Sequence, residues 1–401
     1  MNRGLQKEIR SLWIQTSPRW GGPEQVAMAD IVDMAQAGCG VAVACPEGSP
    51  THAAIMRHQD IKVFSFSPDA SARDLRRIFN EIVDSIKPNI LHLHDESLVW
   101  TLSVELRKHQ EISVLVNRHV PTEKRFFLDL IASFYLTRLD YMIALSENVR
   151  QSVFASFAIP RKKVKVINLG LDFARFDPEK VSGKKMRASW DADKDTIVVG
   201  TVGRLSEELG QDTFIKAAVG LLKSAARHKD RKLKFVVVGE EPLGDPKTEK
   251  TLEDLKKLVG LFNIEEFVVF TTLGENLPEV MAGFDVFVMA GREEVPGLGA
   301  LEALAMQCAV VISSGPGARE IVGDQKYGLL VKNKDAFDLA QKIQQLLENP
   351  SQRIEMGTQG RTYVLKHYDK RTRSSKLFDI YEKCLKRRFI RSQRVLNAET
   401  S

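Results

Sequence analysis

The chain has 401 residues, 43% of them hydrophobic and 27% charged. That is a length for two domains and an ordinary globular composition, which excludes a fibrous or largely disordered protein. No apolar run approaches the ~18 residues of a membrane span. The net charge of +6 is uneven: residues 1–190 hold 26 Lys+Arg against 21 Asp+Glu, residues 191–365 hold 21 against 27, and residues 366–395 hold 11 against 3.

Short β-rich runs open the chain at residues 11–16 (SLWIQT), 41–45 (VAVAC), 62–66 (KVFSF) and 90–94 (ILHLH), and continue at 113–117 (SVLVN), 141–145 (YMIAL) and 164–168 (VKVIN). Helix-length segments such as 70–86 and 123–138 lie between them. Strands alternating with helices predict a parallel, doubly wound sheet. The polar stretch 178–194, with Lys180, Lys184, Lys185 and Arg187, reads as a linker centred on residues 181–190.

A second series follows at 196–202 (TIVVGTV), 234–238 (KFVVV), 267–271 (FVVFT), 286–289 (VFVM) and 309–312 (AVVI), separated by helices at 211–226, 247–261, 298–306 and 336–348. The expected architecture is α/β, with Rossmann-like domains at 1–180 and 191–365 facing a central cleft. A basic helix in 366–401 follows. Ligands of such sheets bind beyond the carboxyl ends of the strands.

Two strand ends stand out. Gly203-Arg204-Leu205 follows TIVVGTV: a glycine there lets backbone approach a ligand, and the planar Arg fork pairs with phosphate oxygens. Residues 292–305 (REEVPGLGALEALA) follow VFVM and open a helix, with Gly297, Leu298 and Gly299 at its entry. Free amides at a helix start, with the positive end of its dipole, suit a diphosphate. Glu294 before the helix and Glu302 within it are carboxylates able to accept hydrogen bonds from hydroxyls of a sugar and a ribose.

The Glu294-x7-Glu302 pattern with the following Ala-Leu-Ala resembles the Glu-x7-Glu motif of family 4 retaining glycosyltransferases, which have the GT-B fold. Residues 203–212 (GRLSEELGQD), 236–243 (VVVGEEPL), 274–285 (GENLPEVMAGFD) and 316–331 (PGAREIVGDQKYGLLV) resemble that family's markers in order and spacing. So, more loosely, do Gly21-Gly22-Pro23-Glu24, His92-Leu93-His94-Asp95 and Gly170-Leu171-Asp172. The sparse, scattered Cys39, Cys45, Cys308 and Cys384 and an opening without the apolar core of a secretory signal fit a reduced cytoplasmic protein. The resemblance implies a metal-independent, nucleotide-sugar-dependent transferase acting with retention and using no cofactor beyond its donor. Arg204 would bind the donor diphosphate, Glu294 the sugar and Glu302 the ribose. Gly21 and Gly22 would approach the phosphates, and His119 occupies a position that in the family lies beside the transferred sugar.

The implied partners are a nucleotide sugar and a glycan or lipid-linked acceptor of lipopolysaccharide or envelope polysaccharide synthesis. An anionic membrane surface is a further expected partner; nucleic acid is not. Residues 123–141 (EKRFFLDLIASFYLTRLDY) carry Phe127, Leu130, Ile131 and Phe134 at helical spacing, flanked by Lys124, Arg125 and Arg138, a pattern suited to interfacial docking or to an internal core. Two departures from the family pattern are notable. Leu209 stands where the family usually has Lys, and Pro296, which has no backbone N–H, stands where it commonly has an aromatic residue. Leu209 keeps open a catalytically silent nucleotide-sugar-binding homologue. A sugar-nucleotide epimerase on a similar two-domain fold is the other alternative.

Overall fold

The computed structural model describes residues 3–18, 20–119, 133–225, 232–239, 246–274, 276–291 and 297–399. The chain divides into two compact units, Met1–Gly170 with Lys370–Ser401, and Leu171–Asp369.

The first unit is built on a seven-stranded sheet: β1 (Arg10–Ile14), β2 (Gly40–Pro46), β3 (Ile61–Phe66), β4 (Ile90–Leu93), β5 (Ser113–Arg118), β6 (Tyr141–Ala144) and β7 (Val164–Val166). Their order is β3-β2-β1-β4-β5-β6-β7, and every pairing is parallel. After its first residue β2 is buried throughout, the mark of a strand covered on both faces. Helices flank the sheet, and their starts follow local chemistry. Ser71 and Asp74 form a capping box at Ala72–Ile86, and the Ser146 hydroxyl accepts the Val149 N–H at 3.1 Å to start Glu147–Ser156.

The helix Lys370–Glu399 belongs to this unit. Leu377, Phe378, Tyr381 and Cys384 are buried in one core cluster with Trp13, Ile31 and Ile90. Arg373 makes a bidentate pair with Asp30 (2.8 and 2.6 Å) and donates to the carbonyls of Ile167 and Asn168. His92, fully buried, stacks on Trp13 with ring centres 3.8 Å apart. Its Nδ1 lies 2.8 Å from the Tyr381 hydroxyl and its Nε2 2.9 Å from Asn117 Oδ1. Since that amide oxygen only accepts, Nε2 carries the proton and Nδ1 accepts from Tyr381.

The second unit holds a six-stranded parallel sheet in the order β10-β9-β8-β11-β12-β13. The strands are β8 (Thr196–Gly203), β9 (Lys232–Gly239), β10 (Val268–Thr272), β11 (Val286–Met289), β12 (Ala309–Ser313) and β13 (Leu329–Val331). In each sheet the strand order reverses once, at β1/β4 and at β8/β11, the point where open α/β sheets receive ligands.

The stretch expected to be a linker is part of this unit. It contains the helix Lys184–Ser189, after which Trp190 is buried and stacks on Phe284 at 5.3 Å. Arg187 donates to Gly283 O, Asp193 O, Thr196 O and Asp285 Oδ2. The charges that suggest a linker include one that ties its own helix to two other segments, 193–196 and 283–285.

Candidate functional site

One group of candidate residues lies at the β8/β11 switch point of the second unit, where Val286 and Phe287 of β11 pair with Val199 and Gly200 of β8. β8 ends at Gly203 with φ +154°, a value L-residues rarely adopt, and Arg204 follows, partly exposed. A tight turn, Glu207–Leu209, leads to Gly210, whose φ is +72° and whose missing Cβ would overlap the Ala290 carbonyl. The loop after β8 therefore packs directly against the end of β11. Gln211, buried at the start of the helix Gln211–Ala225, donates its amide to the Arg204 carbonyl at 2.8 Å and so holds the loop closed.

From β11 the chain passes Ala290 and Gly291 to the helix Leu298–Ala305, with Gly297 at its N-cap. Gly297 is buried against Ile321 and Met289, where a Cβ would collide with the Ile321 side chain. No side chain caps this helix among the described residues, and its first-turn amides are left as donors. Leu298 is partly exposed, and Glu302, within the helix, is 7% exposed. The structure thus brings Gly203, Arg204, Gly297, Leu298 and Glu302 to one edge of one sheet. Glu294, with Arg292 and Pro296, lies outside the described residues. Beside the same loop a cavity of about 390 Å³ opens between the helices Gln211–Ala225 and Pro246–Leu261, lined by Ser206, Gln211, Lys216, Thr251 and Leu255 among others.

In the first unit Gly21, extended at φ −149°, is the N-cap of the helix Gly22–Gln36, with Pro23 in its first turn. Glu24 follows, 8% exposed. Its Oε1 is 3.5 Å from His94 Nε2, just past the end of β4. Burial acts to raise the Glu24 pKa, but His94, its own backbone N–H and the Ser17 hydroxyl outweigh this and hold it below the usual carboxylate range. His119, just past β5, donates from Nε2 to the His94 carbonyl at 3.1 Å, and the two imidazoles lie 4.4 Å apart. Burial holds His119 well below the ordinary histidine value, with His94 adding to the effect. His119 is therefore neutral at physiological pH. Asp95, by contrast, is exposed and accepts the Ser97 N–H at 2.7 Å, a helix-start role.

Of residues 123–141, those from 123 to 132 lie outside the described residues, Lys124, Arg125, Phe127, Leu130 and Ile131 among them. Arg138 is not a free flanking cation: it donates to the carbonyls of Leu106, His109 and Ile112. Phe134 is 62% exposed. Among the described residues no group of three or more His, Cys, Asp or Glu could hold a metal ion, and no helix is long and apolar enough to cross a membrane.

Comparison with known proteins bears on the family and the fold. The profile of "Glycosyl transferases group 1" matches residues 182–363, and that of "Glycosyltransferase Family 4" matches residues 20–175. The chain belongs to this family of glycosyltransferases, and its two parallel-sheet domains are those of the GT-B fold. It is 30% identical over 239 residues to a GDP-mannose-dependent alpha-(1-6)-phosphatidylinositol monomannoside mannosyltransferase of Mycolicibacterium smegmatis, spanning 57% of this chain and 59% of that protein. A D-inositol 3-phosphate glycosyltransferase of Corynebacterium urealyticum is 28% identical over 197 residues, 49% of this chain and 46% of that one. The chain thus matches about half of the length of these relatives. Among solved structures, a glycosyltransferase from Rickettsia africae superposes with a TM-score of 0.82 at 17% identity, covering 94% of this chain and 99% of that one. Anabaena HepE in complex with UDP and glucose superposes at 0.77, also at 17% identity, covering 92% and 98%.

Proposed function

We propose that this protein transfers a sugar from a nucleoside diphosphate sugar to a glycan or lipid-linked acceptor, with retention at the anomeric carbon and without a metal. One observation carries the reading. Arg204 and the uncapped start of the helix Leu298–Ala305 follow two adjacent strands at the switch point of one sheet. A guanidinium and a set of aligned amides there stabilise negative charge as it develops on a departing diphosphate, a contribution that often dominates such catalysis. They supply the positive charge for which other transferases use a cation. Glu302 would accept hydrogen bonds from the ribose and Glu294 from the donor sugar. The Gly21-Gly22 turn would approach the donor phosphates.

The names of the relatives suggest the substrates to try first. One carries GDP-mannose and a phosphatidylinositol mannoside, another an inositol phosphate. We therefore favour a phosphorylated or lipid-linked acceptor in envelope glycan synthesis. An anionic membrane surface fits the first unit, which carries 31 Lys+Arg against 21 Asp+Glu. It also exposes Trp100 (49%), Val104 (50%) and Phe134 (62%), and the Arg107 guanidinium lies 5.9 Å from the Phe134 ring. Aromatics with cations beside them suit a headgroup interface.

The test is turnover of a panel of nucleotide sugars, with the anomeric configuration of the product read by NMR. Retained configuration with one donor supports the reading, and inversion overturns the stereochemical part. Leu209 favours a second reading, a silent nucleotide-sugar binder: donor binding without transfer or hydrolysis would establish it.

A further inference from the structure

The first unit contains a buried polar cluster in which the transferase reading gives Glu24 no role. Glu24, His94 and His119 follow β1, β4 and β5, strands that are neighbours in the sheet. Glu24 is 8% exposed and His94 6%. Among the described residues the buried Nδ1 atoms of His94 and His119 have no hydrogen-bond partner. Two adjacent imidazoles with unfilled nitrogens are costly for a purely structural cluster, since an unpaired buried polar group is destabilising.

The proton positions follow from the partners. A backbone carbonyl can only accept, so His119 Nε2 carries its proton and, in the neutral ring, Nδ1 is an acceptor. An ionised carboxylate likewise only accepts, so the His94 Nε2 that faces Glu24 carries a proton. The carbonyl that orients His119 belongs to His94 itself. Glu24 therefore acts on His119 through one intermediary: it holds the His94 ring and segment, and that segment holds the second ring. Glu24 is itself fastened at the start of its helix, and a Cβ on Gly21 would come 3.2 Å from Glu24 Oε2. The Gly21 position thus suits a residue without a side chain because the carboxylate must pass it.

We propose that Glu24 is a positioning residue that, through His94, fixes the orientation of His119 so that His119 Nδ1 serves as acceptor for a sugar hydroxyl. This rests on the transferase reading for the identity of the ligand, but not for the arrangement of protons. His92 and Arg373 are the other titratable groups that act on His119, both unfavourably to its protonation, and His92 is committed to Asn117 and Tyr381.

The experiment uses the full chain with ¹⁵N-labelled histidine, as wild type, Glu24→Gln and Glu24→Ala. Ring ¹⁵N shifts report which nitrogen carries the proton, and donor hydrolysis and nucleoside diphosphate affinity are measured on the same samples. In the wild type both His94 and His119 should be in the Nε2–H form. Gln retains an acceptor oxygen and should keep that form and most of the rate. Ala should mix the tautomers of His94, shift the His119 signals and lower kcat about 10- to 100-fold, the scale on which a misplaced group slows a reaction, with nucleoside diphosphate affinity unchanged. A wild-type His94 without a proton at Nε2 overturns the proposal. So does a folded Ala variant whose His119 signals and kcat match the wild type. If Ala fails to fold, the wild-type and Gln tautomers still decide. If no nucleotide sugar is turned over at all, the transferase reading fails, yet the ring signals still test what Glu24 does.

Discussion

Leu209 packs against Gly203: a Cβ on that glycine would come 3.1 Å from Leu209 Cδ1, and the same side chain lies near Gly291 at the end of β11. An apolar side chain thus fills the space between the two strand ends where the resemblance implies a second cation. On this account Arg204 carries the diphosphate charge with less help than usual. A charge-assisted hydrogen bond contributes roughly 1.5–3 kcal/mol, or about 10- to 100-fold. Arg204→Ala should therefore lower the transfer rate by at least that factor in steady-state kinetics. Leu209→Lys should raise donor affinity; a gain of activity from an inert wild type would instead identify a silent homologue.

Glu302 and Glu294 should separate by ligand. Glu302→Ala should weaken binding of the bare nucleoside diphosphate, because the ribose loses an acceptor. Glu294→Gln should leave that binding nearly intact and depress transfer. Calorimetric titration of both variants with the nucleoside diphosphate checks the assignment, and the reverse order of effects would refute it.

The buried pair of Arg373 and Asp30 should dominate the anchoring of the terminal helix. Removing one partner strands a buried charge, at a cost of about 3–5 kcal/mol. Arg373→Ala should lower the urea midpoint accordingly. Replacing Arg373 with Met together with Asp30 with Leu should restore most of the loss, since an apolar pair leaves no charge unpaired.

Burial pushes His92 down to about 3, against the bond to Asn117 that opposes it. The unfolded chain protonates a histidine near pH 6.5. Between these values the unfolded state binds the extra proton, so stability falls as pH falls. The slope contributed by this residue is about 1.4 kcal/mol per pH unit. Urea unfolding at pH 7, 6 and 5 should show it, and His92→Gln should flatten the dependence below pH 6.5. An unchanged slope would place the proton uptake elsewhere.

Docking to an anionic surface predicts that flotation with acidic liposomes falls as salt rises past ~0.15 M, where the Debye length is ~8 Å. Trp100→Ser with Phe134→Ser should weaken it further. Equal flotation with neutral liposomes would rule it out.

How much of this was legible beforehand varied with the range of the interactions. The strands of both sheets were readable to within a residue or two because parallel strands are continuous apolar runs. β13 is no shorter than β7, but its Leu329-Leu330-Val331 run carries one β-branched residue where the run at β7 carries Val164, Val166 and Ile167. The strand–turn–helix contexts of Arg204, Gly297 and Glu302 were readable because that geometry is local. The lysines of the stretch 178–194 are exposed while Arg187 is engaged with the segments 193–196 and 283–285, and composition alone does not distinguish them. The contact between Glu24 and His94 joins residues 70 positions apart and exists only once β1 and β4 are paired. Gln211 was visible only as part of a loop motif, with nothing in the sequence to show that it clasps the Arg204 carbonyl.

The most direct measurement of the central claim is a thermal-shift and calorimetric titration of wild type and Arg204→Ala with a panel of nucleoside diphosphates and their sugars. A ligand at 100 times its Kd adds ~2.7 kcal/mol to stability, so a true donor should raise the melting point of the wild type measurably, and far less that of Arg204→Ala. If no nucleotide shifts the wild type, or if Arg204→Ala binds the same nucleotide undiminished, the diphosphate does not bind at the β8/β11 switch point and the account is contradicted.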